Sequence, residues 1–151
     1  MIDYNIILTK LNQTLTIIRE LTSVEFISNQ EVTDVDKNAK KSIKLGKKAD
    51  EYICQLVRSK EGIEKYRYWL SSTIDYQRWN AAFNMYPLFP KECFKILLEC
   101  EKKCNEELEK SDMNVVINLY SKSFDNDNIL YRRLKKIYNV DDLSLISRER
   151  L

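Results

Sequence analysis

The sequence predicts an all-α fold, a bundle of five or six helices forming a single helical domain over residues 1–151. Three observations predict it. The chain holds two glycines and two prolines, too few for the turns of a β-sandwich or barrel, or for the phosphate loop of an α/β nucleotide fold. Apolar residues make up 44% and charged residues 32%, the balance of a folded, highly charged protein and not of a disordered one. Along most of the chain the apolar residues recur at spacings of three and four, the period of a one-faced helix.

The first helix is expected over residues 3–24, with Tyr4, Leu8, Leu11, Leu15 and Ile18 inward. Residues 25–32 read as a connection. A second helix is expected from Thr33, which stands three residues before Asp36 in a capping-box pattern, to about residue 59. Its inner face would be Ala39, Ser42, Gly46, Ala49, Ile53 and Leu56. The small residues in the first half of that face predict close approach of a neighbouring helix at Gly46. Such an approach would offset the cost of about 1 kcal/mol that glycine carries in a helix interior.

A long antiparallel hairpin is expected next, with arms at about 62–85 and 90–110. Pro87 and Pro90 bracket its turn, and Pro90 suits the first position of the second arm, where a missing N–H is no loss. A fifth helix is expected after Ser111–Asp112, since a lone strand at Val115–Ile117 would lack a partner. A sixth is expected over 129–138, and residues 141–151 form a last short helix or a tail.

Net charge is +2 from 25 basic and 23 acidic residues, so any nucleic-acid contact must come from a local patch. The chain has no histidine. That removes the Ser-His-Asp triad, the Cys-His pair and every histidine-based zinc site. The N-terminus lacks a basic leader, and the longest uncharged stretch near the middle, residues 79–90, is too short to span a bilayer. The expectation is a cytoplasmic chain that does not enter the membrane, with four reduced thiols. Cys93, Cys100 and Cys104 share one side of a helix. Cys93 and Cys104 would lie about 16 Å apart along it, too far to share one zinc ion, so the thiols read as small core hydrophobes.

Three sets of residues carry functional readings. Eight of the sixteen aromatic residues fall between Tyr66 and Phe89. On one continuous helix Trp69, Tyr76, Trp79, Phe83 and Tyr86 would form a stripe opposite Ile63, Tyr66, Leu70, Ile74, Gln77 and Ala81. Such a stripe is either a second buried face or a surface for a protein partner or a second copy of the chain. Lys37, Lys40, Lys41, Lys44, Lys47 and Lys48 fall within about 120° on the second helix, opposite its small face. This ridge is either ordinary solvated surface or a contact for phosphates or an acidic partner, with Lys37, Lys41, Lys44 and Lys48 at its centre. Arg132 and Arg133, in the basic stretch 132–136, would extend it toward nucleic acid.

The third set is acidic. Glu61 and Glu64 form E-x-x-E, and Glu109 and Asp112 form E-x-x-D. In the expected hairpin the pairs would meet at the open end and could hold Mg²⁺ against a substrate phosphate. The motif pair resembles that of the all-α nucleotide pyrophosphohydrolases related to MazG. The resemblance rests on these four residues and implies a Mg²⁺-dependent hydrolase. Two further patterns are incomplete. The calcium-loop start at Asp125–Asp127 meets Leu130 and Lys136 where glycine and glutamate belong. The helix-turn-helix outline at 134–150 meets Lys135 and Arg148 where small and apolar residues belong.

The main expectation is therefore a non-catalytic interaction or regulatory protein without a cofactor. It would bind a protein partner, or itself as a homodimer, through the aromatic face, the lysine ridge or both. A nucleic-acid-binding protein and a Mg²⁺-dependent hydrolase are the alternatives.

Overall fold

A computed structural model describes residues 1–104 together with residues 110, 111, 113, 114, 117 and 136. Its helices are α1 (Tyr4–Thr22), α2 (Val24–Asn29), α3 (Val35–Val57), α4 (Lys60–Arg67), α5 (Asp75–Met85) and α6 (Pro90–Lys103). Short 3-10 turns occur at Val32–Asp34 and Tyr68–Ser71. No strand occurs among the described residues, and the protein is an all-α helical bundle. None of the described helices is long and apolar enough to cross a membrane.

Asp3 starts α1, its carboxylate accepting from the amides of Asn5 and Ile6 (3.0 and 3.3 Å). Thr14 is buried because its hydroxyl donates to the Lys10 carbonyl at 2.8 Å, so no polar atom is stranded. The buried face is Tyr4, Ile7, Leu11 and Thr14, with Leu8, Leu15 and Ile18 half-buried beside it. The expected stripe thus faces inward, but its centre is rotated toward Ile7. The region expected as a bare connection contains α2, capped by Ser23 Oγ accepting from Phe26 N at 3.2 Å.

α3 starts differently from expectation. Thr33 lies inside the 3-10 turn, Asp34 is the N-cap, and the cap makes no side-chain hydrogen bond. The tight turn removes the geometry the capping box needs. Asp36 pairs instead with Lys40 one turn on, at 3.0 Å. α3 runs antiparallel to α1: Ser59 Oγ donates to Tyr4 Oη at 2.7 Å at one end, and Asn38 Nδ2 donates to Gln30 Oε1 at 3.1 Å at the other.

The expected inner face of α3 holds only in its second half. Ala49, Ile53 and Leu56 are buried, whereas Ala39 is exposed and Ser42 and Gly46 are half-covered. A methyl group added at Gly46 would meet nothing within 4 Å, so the expected close approach is absent there. It occurs at Gly62, where an added Cβ would sit 2.1 Å from the Leu56 carbonyl oxygen. Ser59 makes that approach possible by capping α4, its hydroxyl accepting from Gly62 N at 2.9 Å.

The first arm of the expected hairpin is broken. α4 ends at Arg67, and the chain passes through the 3-10 turn before α5 begins at Asp75. Ser72 explains the break: its hydroxyl accepts from Ile74 N (3.1 Å) and donates to Gln77 Oε1 (2.7 Å), competing with helical backbone bonding. Of the two pieces of the broken arm, α5 is the one that packs along α6. At one end of this pair Arg78 reaches Glu99 (2.6 Å) and Cys100 Sγ donates to the Asp75 carbonyl (3.8 Å). Pro90 stands at the start of α6 as expected.

The two helix pairs share one hydrophobic cluster, with Leu11, Leu56, Tyr66, Ala81, Met85, Cys93 and Leu97 among its most buried members. Inside it the Asn84 amide donates to Tyr66 Oη (3.1 Å) and to the Asn80 carbonyl (2.8 Å), while Tyr66 donates to the Asn80 side chain. Past α6, residues 110, 111, 113, 114 and 117 are helical and Met113 and Ile117 are buried; of the alternative strand at Val115–Ile117 only Ile117 is described, and it is helical. Of the expected 129–138 helix only Lys136 is described, and it is helical. The rest of the incomplete calcium loop, the remainder of the helix-turn-helix outline and the tail at 141–151 lie outside the described residues.

Candidate interaction surface

The α1–α3 pair has two unlike ends. Near the core, α1 buries Tyr4, Ile7, Leu11 and Thr14, and α3 buries Ala49, Ile53, Leu56 and Val57. From residue 15 through α2 to residue 48, no described side chain is buried. This stretch is an arm of two long helical segments capped by α2. It leaves Ile27, Val32, Val35 and Ile43 exposed, Ile43 at 62% and Val32 at 88%.

The lysine ridge lies on this arm. Lys37, Lys40, Lys41, Lys44, Lys47 and Lys48 are all exposed. Lys40 pairs with Asp36, and Lys48 with Glu51 at 3.2 Å, which holds its ammonium above the ordinary lysine range. Lys37, Lys41, Lys44 and Lys47 pair with no described residue. The ridge stops where burial begins: Lys48 is followed by buried Ala49 and then by acidic Asp50 and Glu51. Asp50 accepts from Lys136 Nζ at 3.0 Å, which brings one residue of the basic stretch 132–136 against α3. Arg132 and Arg133 lie outside the described residues.

The aromatic residues are drawn into the molecule to different degrees. Tyr86 is 4% exposed, and Trp69, Trp79 and Phe83 are half-buried against the core. Trp69 meets Tyr66 edge-on and Trp79 stacks on Phe83 with ring centres 5.9 Å apart. Tyr76 turns to α1, donating to Asn12 Oδ1 at 2.7 Å, with the Arg19 guanidinium 4.7 Å from its ring centre. The break at residues 68–74 also divides the single stripe expected of a continuous helix. Ile74, expected inward, is 44% exposed.

The acidic set is not assembled by the described residues. Glu61 and Glu64 are exposed on α4, while Glu109 and Asp112 lie outside the described residues. The unbroken hairpin expected to bring the pairs together is absent. α4 meets α6 through its far end instead, with Arg67 reaching Glu92 (3.0 Å) and lying over Phe89. Among the described residues no three of His, Cys, Asp and Glu are grouped as metal ligands would be. Cys93 and Cys100 are buried, and burial pushes their thiols up to about 12 and about 11.

The sequence alone does not disclose an open groove of about 620 Å³ that runs along α6. It is lined among the described residues by Lys91, Phe94, Lys95, Leu98, Glu99 and Lys102. The lysine spacing opposite Cys93, Leu97 and Cys100 carries a signal for it, but Phe94 and Leu98 hide the groove by reading as core. The Asn12–Tyr76–Gln77 junction has no local signal, because its members are more than sixty residues apart in the chain. Comparison of the chain with models of protein families, with curated proteins and with solved structures gives no match.

Proposed function

We propose that this is a non-catalytic interaction protein that uses the α1–α3 arm to hold a polyanionic partner against the lysine ridge. The observation that carries the reading is the pairing of exposure with charge. Six lysines share one face of the half of α3 in which no side chain is fully buried, and four of them have no partner among the described residues. The aromatic set is a weaker candidate for the contact, since Tyr86 is buried and Trp69, Trp79 and Phe83 already pack on the core.

The test is charge reversal of the ridge. Lys41→Glu, Lys44→Glu and Lys48→Glu together should abolish retention on an immobilised polyanion at low salt. Helical content by circular dichroism should not change, because these side chains face solvent. Unchanged retention of a folded triple variant would end the proposal.

A further inference from the structure

The composition and shape of the ridge narrow the partner's chemistry, given that the ridge holds a polyanion as proposed. Three partner classes carry dense negative charge: acidic proteins, anionic membranes and nucleic acids. A protein interface is anchored by buried Trp, Tyr and Arg, and residues 35–48 contain none of these. A membrane-surface helix needs a continuous apolar face beside its lysines. Here the opposite face is Ala39, Ser42 and Gly46, and of the two exposed large apolar residues on this half of α3, Ile43 flanks the ridge and Val35 does not.

A nucleic-acid backbone asks for less. It needs point charges in a line and no base-reading fork. Lys37 to Lys48 span about 16 Å of helix axis, and the same length of duplex carries about five phosphates per strand. We infer that the ridge binds a nucleic-acid phosphate backbone as charge alone, chiefly through Lys37, Lys41, Lys44 and Lys47. Lys40 and Lys48 contribute less because Asp36 and Glu51 already compensate them.

The experiment measures binding of the full chain to short duplex DNA of two unrelated sequences, by fluorescence anisotropy across a salt series. Polyglutamate and phosphatidylserine vesicles serve as comparison probes. Four lysine–phosphate contacts predict a slope of log K against log salt of roughly −3.6, or roughly 150-fold weaker binding for a fourfold rise in salt. The two sequences should bind within about twofold of each other, since phosphate contacts carry no base information. Lys44→Gln should reduce the slope by about 0.9, and Lys40→Gln by less.

A tenfold preference for one sequence, or a slope near zero, would overturn charge-only binding. Ridge-dependent binding to polyglutamate or to vesicles, with no binding to duplex, would overturn the nucleic-acid assignment and leave the polyanion reading standing. Failure of all three probes would overturn both.

Discussion

From Ala49 to Val57, α3 buries four side chains, carries acidic Asp50 and Glu51 between them, and ends about one turn before the tight contact at Gly62. From Val35 to Lys48 the same helix buries none and carries six lysines. One continuous helix therefore serves as scaffold over one half and as surface over the other. The helical backbone is indifferent to that division; it depends on whether a third layer lies beneath. The inner half joins the hydrophobic cluster shared with α4, α5 and α6, and α1 beside it is tied to Ser59 through Tyr4 and to α5 through Asn12. Under the outer half, among the described residues, lie only the end of α1 and the short α2.

The contrast is sharpest for deletions of apolar bulk. Leu56→Ala should cost about 2–5 kcal/mol, because the side chain is fully buried and its truncation leaves a cavity. Ile43→Ala, on the exposed half, should change stability by less than about 0.5 kcal/mol. Urea titration of both variants measures the difference, and equal costs would show that the arm packs against something in solution.

The glycines provide the second contrast. Gly62→Ala should cost about 1–3 kcal/mol or more, since the new methyl meets the backbone carbonyl of Leu56 and not a side chain that can swing away. Gly46→Ala should raise stability by up to about 1 kcal/mol, as its added methyl enters open space in a helix interior. A destabilised Gly46→Ala would place a further neighbour beside the arm.

A pH titration probes the inner end by another route. Cys93 and Cys100 are raised by burial from the ordinary thiol value of 9.0, to about 12 and about 11. The folded state therefore holds their protons more tightly than the unfolded chain does. Their contribution is intact below pH 9 and should be lost as pH climbs from there toward the folded values. Thermal melts across that window should show the decline, and Cys93→Ala should flatten it. Thiol labelling of the native protein at pH 8 should reach Cys54 or Cys104 before Cys93 or Cys100.

A modest effect is expected at the junction between the helix pairs. Tyr76→Phe removes one hydrogen bond to Asn12 and should cost about 1 kcal/mol. The Asn12→Ala, Tyr76→Phe double variant should cost less than the sum of the two single changes, because the residues share that bond.

The sequence by itself determined the fold class, because helical periodicity, scarce glycine and proline, and end signals such as Pro90 are all local. It also placed the lysine ridge on one exposed helix face, since charge on a helix surface follows from spacing alone. It could not show where α3 leaves the core. Small residues at Ala39, Ser42 and Gly46 look the same whether a helix presses on them or water does. Nor could it show the break after Arg67: an unbroken 62–85 helix keeps the same apolar spacing, and Ser72 decides against it only because Gln77 and the α1 junction hold the turn in place. Which face of a helix is apolar is written in its spacing, but whether that face is covered depends on a second element distant in the chain, and only the tertiary structure supplies it.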